Sequence, residues 1–162
     1  MIVVADSGPL IALARIDHIF LLERLFGTVL VPPAVLAELS IGSGKPGTAV
    51  LAKAVDAGTI LVREVPGDML GSLPIPLDAG ETEALVLARL NGGSVVFLDE
   101  KKARNVARMI GIPVIGTAGV LVEAKRKGLV PSLSGIFDSL VQSGYHLSPA
   151  LVSRALSLAD ES

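Results

Sequence analysis

Two carboxylates follow directly after apolar runs that have the length of buried strands. Asp6 follows "IVVA" near the start of the chain, and Asp99, with Glu100 beside it, follows "SVVFL". If both runs are strands of one parallel sheet, their carboxyl ends lie at the same edge, which is where open α/β sheets bind ligands. We therefore expect Asp6 and Asp99 to face one crevice, although they are far apart in the chain.

Three more acids lie in segments with helical periodicity. Glu38 lies in "PPAVLAEL", and Glu81 and Glu83 begin "ETEALVLARL", where they occupy two flanks of the helix and neither points fully outward. Crowded carboxylates repel one another, and a divalent cation relieves that repulsion. Oxygen ligands without Cys or a histidine cluster favour Mg²⁺ or Mn²⁺ over zinc. Because such an ion promotes phosphodiester cleavage, the pattern indicates metal-dependent hydrolysis of a phosphate ester.

Each of these acids also has a purely structural interpretation. Asp6 and Asp99 both precede helical segments, and Asp is a favoured N-cap. Glu38 is also compatible with the exposed face of an amphipathic helix, and one of Glu81 and Glu83 is compatible with a simple interaction with the helix dipole. These interpretations do not predict that acids at two strand ends and on two helices occur together, so a shared site is the stronger hypothesis.

Basic residues follow the second strand-end acid. Lys101, Arg104 and Arg108 are spaced three and four apart, which places them along one helix face. A basic stripe beside an acidic metal pocket suits a polyanion, although such stripes are more often solvated surface. Aromatic residues make up only 3% of the chain, so base stacking contributes little to any nucleic-acid binding.

Strand-length apolar runs alternate with helix-length segments along the chain, which predicts the elements that position these residues. The alternation indicates an α/β fold with three layers, α/β/α, around a central parallel sheet. A composition that is 51% hydrophobic and poor in aromatics suits strands buried on both faces. We expect a single domain over residues 1–162, in which residues 131–162 form an appended C-terminal helical hairpin.

Composition excludes several other chemistries. The chain has no Cys and two His, so disulfides, thiolate zinc sites, cysteine nucleophiles and multi-histidine metal sites are disfavoured. The glycines of "DSGPL" fit neither a dinucleotide fingerprint nor a P-loop. A receiver domain would require two acids after the first strand and a lysine after the last, and neither is present. No signal peptide or membrane span is evident, so we expect no membrane association and a cytoplasmic location.

Five stretches carry a family resemblance. They are "VVADSGPLIAL", "VPPAVLAEL", "LDAGETEALVLA", "VVFLDEKKARNVA" and "PVIGTAGVLVEAKRKGLV", and in this order they span about residues 1–130. The chain resembles the PIN-domain family of metal-dependent ribonucleases, in a branch close to VapC-type toxins. The resemblance implies a Mg²⁺- or Mn²⁺-dependent endoribonuclease. Such a toxin would have an RNA substrate and an antitoxin partner, and would form a homodimer.

The same resemblance implies roles for individual residues. The metal-binding and catalytic acids would be Asp6, Glu38, Glu83 and Asp99. Neutral or alternative members of the site would be Ser7, Glu81, Glu100 and Thr117. VapC toxins commonly have Thr-x-Asp where this chain has Leu98-Asp99-Glu100, so either Asp99 or Glu100 is a candidate for the fourth acid, with Asp99 favoured because it is nearer the strand. This departure motivates an alternative, a catalytically weak or inactive module that binds nucleic acid or a protein.

Overall fold

Five short parallel strands form the centre of the fold. The computed structural model describes residues 1–161. The strands pair in the order β3-β2-β1-β4-β5 and all run in the same direction. Almost all their residues are Val, Ile or Leu, which suit strands covered by helices on both faces. The strands are β1 (Val3–Ala5), β2 (Val29–Val31), β3 (Ile60–Val62), β4 (Val95–Phe97) and β5 (Val114–Ile115).

Helices connect each strand to the next and extend the chain beyond the last strand. Together with the parallel sheet they form the three-layer α/β/α arrangement, and this prediction of the fold class is confirmed. A short 3₁₀ turn, Gly67–Met69, lies between β3 and the fifth α-helix. The α-helices are α1 (Ser7–Arg15), α2 (Phe20–Phe26), α3 (Pro33–Glu38), α4 (Thr48–Asp56), α5 (Ala79–Leu90), α6 (Lys101–Met109), α7 (Thr117–Arg126), α8 (Leu133–Gln142) and α9 (Pro149–Leu158).

The strand order creates a crevice beside the central strand. From β1 the chain moves outward through β2 to β3, and then crosses back to the other side of β1 to form β4 and β5. The connections that follow β1 and β4 therefore leave the sheet in opposite directions, and such a switch point is where open α/β sheets bind ligands. Asp6 and Asp99 lie just after these two strands.

The core is built from aliphatic side chains around β1. Val3, Val4 and Ala5 are fully buried, as is Phe97 of β4. The turn after α1 contains a left-handed residue: Asp17 has φ 59°, and α2 begins only at Phe20. The left-handed backbone at Asp17, a conformation that Asp tolerates better than most residues, completes that turn.

The last two helices pack on the rest of the fold. Helix α8 contacts α1 and α7, and α9 contacts α7 and α8. The carboxylate of Glu161 accepts hydrogen bonds from the Leu133 N–H (2.7 Å) and the Ser132 hydroxyl (3.2 Å), and it pairs with the Lys125 Nζ (3.1 Å). Glu161 therefore ties the end of the chain to the start of α8. Over residues 1–161, no helix has the length and apolar character needed to cross a membrane.

Candidate active site

Asp6 lies at the end of the central strand, at the base of the crevice. Its backbone N–H donates to the Phe97 carbonyl (3.0 Å), which joins the ends of β1 and β4. The side chain is only 8% exposed. Asp6 occupies the N-cap position of α1, but its side chain makes no capping hydrogen bond. The carboxylate is thus available for another role.

The environment of Asp6 opposes its negative charge. Burial and, to a smaller extent, the nearby charges of Glu38, Asp78 and Asp99 together raise the pKa of this carboxyl to about 6, against the opposing hydrogen bond from the backbone N–H of Ser7. Burial and the neighbouring acids both disfavour the ionised form, and the acids add negative potential to the pocket. That is the electrostatic condition under which a cation binds favourably.

Glu38 reaches the pocket because α3 packs against the start of α5. Its carboxylate lies directly over Gly80, and a Cβ at that position would overlap the carboxylate oxygen Oε1. The Ser7 hydroxyl donates to the same oxygen (3.3 Å). Burial raises the pKa of Glu38, and Asp78 and Glu83 contribute in the same direction. The Ser7 hydrogen bond and the lack of a side chain at Gly80 therefore allow the Glu38 carboxylate to lie at this pocket.

Helix α5 carries two glutamates that have different surroundings. Glu81 is 8% exposed, and its pKa is raised to about 7 by burial and then by the charges of Asp78 and Asp6. Glu83 points to α3, where its Oε1 accepts a hydrogen bond from the Ala34 N–H (3.1 Å) in the first turn of that helix. The structure thus buries Glu81 within electrostatic range of Asp6 and gives Glu83 a contact that links α5 to α3. The helical wheel did not separate the two residues, because both lie on flanks.

Asp78 is a further acid of the site that sequence reasoning missed. It is the N-cap of α5, and its side chain accepts a hydrogen bond from the Glu81 N–H (2.8 Å). Its charge raises the pKa values of Asp6, Glu38 and Glu81. The signal was present in "LDAGE", since an acid at the N-cap followed three residues later by Glu is a helix-start pattern.

Asp99 and Glu100, which are neighbours in the chain, also have different surroundings. Glu100 is the N-cap of α6, where its side chain accepts a hydrogen bond from the Ala103 N–H (2.8 Å). The Asp99 side chain instead accepts three hydrogen bonds, two of them from Thr117 at the start of α7 and one from the Tyr145 hydroxyl. Asp99 thus joins the end of β4 to α7 and to the segment after α8. Tyr145 had no signal in the sequence, because it lies far along the chain from every acid of the site.

The basic stripe on α6 divides into exposed and half-buried parts. Lys101 and Arg108 are exposed, and the Arg108 guanidinium contacts the Asn105 side-chain oxygen (3.0 Å). Arg104 turns inward, and its Nη1 donates to the Leu98 carbonyl (3.1 Å). Arg104 therefore lies next to Asp99, whereas the other two basic side chains face solvent.

The donor chemistry of the pocket fits a hard divalent ion. The acids offer only carboxylate oxygens, which Mg²⁺ and Mn²⁺ prefer, and a cation would offset the burial and the repulsion that together raise the pKa values of Asp6 and Glu81. Within residues 1–161, no three Asp, Glu, His or Cys side chains are gathered closely enough to hold one ion. Ligation by several acids would therefore require side-chain rotation, which the exposed Glu38 and Asp78 allow.

Comparison with known proteins identifies the family. A family model described as PIN domain matches residues 2–161, nearly the whole chain. No curated protein matches the chain significantly. PIN domains are in general nucleases that act on nucleic acid and use divalent metal ions. With this match and the five-stranded parallel sheet, we conclude that the chain belongs to the PIN-domain family.

Proposed function

We propose that the protein is a Mg²⁺- or Mn²⁺-dependent endoribonuclease. The observation that carries this proposal is the buried carboxyl of Asp6 at the switch point of the sheet, where burial, with a smaller contribution from neighbouring acids, raises its pKa to about 6. A pocket of hard oxygen donors with excess negative potential is suited to bind a divalent ion and, through it, a phosphate. RNA as the substrate rests on the likeness to VapC-type toxins.

In this proposal Asp6, Glu38 and Glu81 hold the ion, and Asp99 contributes from the other side of the crevice. Glu81 replaces Glu83 of the sequence-based prediction because it is buried beside Asp6, while Glu83 is engaged by the Ala34 N–H. A bound divalent ion would make an attacking water more acidic and would stabilise the charge that develops on the phosphate.

The exposed basic residues of α6 supply the electrostatic attraction for the substrate. Lys101 and Arg108 face solvent on the helix that begins just after Asp99. Contacts of this kind bind phosphates without reading sequence, so affinity for RNA should fall steeply with salt concentration. Arg104 is not expected to take part, because its guanidinium is bonded to the Leu98 carbonyl.

Cleavage of a transcript pool by the wild type and by Asp6→Asn tests the proposal. We expect cleavage with Mg²⁺ or Mn²⁺, no cleavage with EDTA, and loss of at least about a hundredfold in Asp6→Asn, since ligand loss removes most metal-dependent rate. Asp138→Asn, the same change at an exposed position of α8, is the matched control and should retain full activity. Cleavage by the wild type that persists in EDTA would overturn the assignment. A single-stranded DNA of the same sequence tests the preference for RNA.

Glu81→Gln and Glu83→Gln separate the two glutamates of α5. We expect Glu81→Gln to abolish cleavage and Glu83→Gln to retain it with reduced stability. The reverse pattern would restore the role of Glu83 that the family resemblance implied.

The likeness to VapC-type toxins extends the proposal to a cytoplasmic toxin with an antitoxin partner. Expression of the wild type in bacterial cells should then arrest growth, whereas Asp6→Asn should not.

We also propose a homodimer, for which the support is Phe20 of α2, an aromatic side chain that remains 45% exposed. Light scattering should show a dimer that Phe20→Ser dissociates, and a monomeric wild type would contradict this part.

A second candidate is a PIN module that binds nucleic acid without cleaving it. It is favoured by the three hydrogen bonds that already engage Asp99. Thermal unfolding with millimolar Mn²⁺ distinguishes the candidates. Stabilisation that disappears in Asp6→Asn supports the nuclease, and RNA binding without any response to Mn²⁺ supports the binding module.

A further inference from the structure

We propose that Tyr145 is a positioning residue of the active site, which fixes the Asp99 carboxylate together with Thr117. The segment between α8 and α9 would then form part of the site. This inference rests on the proposed function, because the orientation of Asp99 matters to the reaction only if Asp99 takes part in binding the ion.

The contacts around Asp99 leave its carboxylate little freedom. The Oδ1 atom accepts the Thr117 N–H (2.7 Å), and the Oδ2 atom accepts both the Thr117 hydroxyl (2.6 Å) and the Tyr145 hydroxyl (2.6 Å). A carboxylate has about four acceptor positions, and three are used. The remaining position is on Oδ1, which leaves one direction from which an ion can be ligated.

The space around Oδ1 is kept open by a glycine. A Cβ at Gly116 would lie 2.9 Å from this oxygen and 2.6 Å from the Nη1 of Arg104. Arg104 and Asp99 form no ion pair within 4 Å, since the two salt bridges in the described part of the chain lie elsewhere. The free acceptor position of Asp99 is therefore not taken by the nearest guanidinium.

Tyr145 is held in place independently of this contact. Its N–H donates to the Leu140 carbonyl (3.0 Å) and closes the end of α8, and Gly144 before it adopts φ 98°. The ring is half-buried against the core. Since the backbone and the ring are fixed by packing, the hydroxyl can act as a rigid donor that restrains Asp99. Outer hydrogen-bond partners of this kind usually change metal affinity or activity about 10- to 100-fold.

Tyr145→Phe removes the hydroxyl and keeps the ring. We expect the Mg²⁺ concentration for half-maximal cleavage to rise about tenfold, with the KM for RNA little changed, since the basic face of α6 is untouched. The matched control is Ser143→Ala, which removes a hydroxyl hydrogen bond to the Leu140 carbonyl (2.7 Å) in the same segment and does not touch Asp99. A change in Ser143→Ala equal to that in Tyr145→Phe would overturn the inference, because it would show a general effect of the segment.

Thr117→Val provides a second variant, in case Tyr145→Phe does not fold. It removes the other hydroxyl donor to Asp99 Oδ2 at a fully buried position and retains the side-chain shape. We expect the same rise in half-saturating Mg²⁺ and, where both variants fold, effects that are not additive. An unchanged Mg²⁺ dependence in either folded variant would overturn the inference.

A readout other than activity is available because Tyr145 is the only tyrosine and the chain has no tryptophan. Tyrosine emission therefore reports on this side chain alone, and it responds to a hydrogen bond with a carboxylate. We expect Mg²⁺ to change the emission of the wild type but not that of Asp99→Asn. If the wild type cleaves RNA with Mg²⁺ while its emission stays constant, the positioning role is wrong and the proposed function stands. If the wild type neither cleaves RNA nor responds to Mg²⁺, both are wrong.

Discussion

The substitution Asp6→Asn should stabilise the metal-free protein while it removes cleavage. The charge of Asp6 is buried among other acids, and the folded state binds a proton there more tightly than the unfolded chain does. Stability from this group is therefore fully present below about pH 4 and is lost as the pH rises through about 6. An asparagine has nearly the same shape, can still accept the Ser7 N–H, and carries no charge at any pH.

The size of the effect follows from the shift in pKa. The pKa of Asp6 rises from 3.8 to about 6, and each pH unit corresponds to about 1.4 kcal/mol, so the ionised carboxylate costs the folded state about 3 kcal/mol. For a chain of this size, that gain in the free energy of unfolding corresponds to an increase in Tm of roughly 6–12 °C. At about pH 4 both proteins have a neutral side chain at this position, and the difference should vanish.

Thermal unfolding in EDTA between about pH 4 and pH 8 measures this effect. The Tm of Asp6→Asn should exceed that of the wild type at pH 8, and the two should converge on acidification. Asp138→Asn, at an exposed position on α8, should follow the wild type at every pH. Adding millimolar Mg²⁺ at pH 8 should reverse the order, because the ion stabilises only the chain that binds it.

Two results would refute this reasoning. If Asp6→Asn is less stable than the wild type at pH 8 in EDTA, the surroundings of Asp6 do not oppose its ionised form. A stabilisation that is the same at pH 4 and pH 8 would show that it does not arise from charge.

Three further substitutions test the contacts that place the acids. Gly80→Ala should lower cleavage at least about tenfold, because the added Cβ displaces the Glu38 carboxylate. Circular dichroism should show an intact fold, since Ala is a better helix former than Gly. Full activity of this variant would contradict the placement of Glu38. Glu83→Gln should lower the free energy of unfolding, measured in urea, by about 1 kcal/mol, because the Ala34 N–H loses a charged acceptor at the start of α3. An unchanged urea midpoint would show that this hydrogen bond contributes nothing to stability. The pKa of Glu161 is lowered chiefly by its hydrogen bond from the Leu133 N–H, so Glu161→Gln should lower the Tm at neutral pH. The difference in Tm from the wild type should shrink on acidification through the usual Glu range. A difference in Tm that is constant with pH would exclude a charge effect.

Much of the fold could be predicted because its signals are local. A strand in a parallel sheet is a short apolar run, and a helix is a periodic segment bounded by caps, so the order of elements is visible without any contact between them. The direction of a parallel strand also determines where its last residue lies. Asp6 and Asp99 could therefore be placed at one edge of the sheet before any tertiary structure was known.

The finer composition of the site depends on how helices rotate and pack, which local patterns do not determine. Glu81 and Glu83 are both on flanks of α5, and only the packing of α5 on β1 and α3 buries Glu81 beside Asp6 and directs Glu83 to the Ala34 N–H. Asp78 belongs to the charged pocket because its helix begins next to Glu38, although its capping pattern could have been noticed.

Long-range contacts explain the remaining differences between prediction and structure. The sequence by itself determined the α/β fold and two acids at one sheet edge, because both follow from the hydrophobic pattern and the geometry of parallel strands. Only the tertiary structure decided that Thr117 and Tyr145, 18 and 46 residues further along the chain, bond to Asp99. Such partners are brought together by packing between distant segments, and the energy that selects them appears only when the core is assembled.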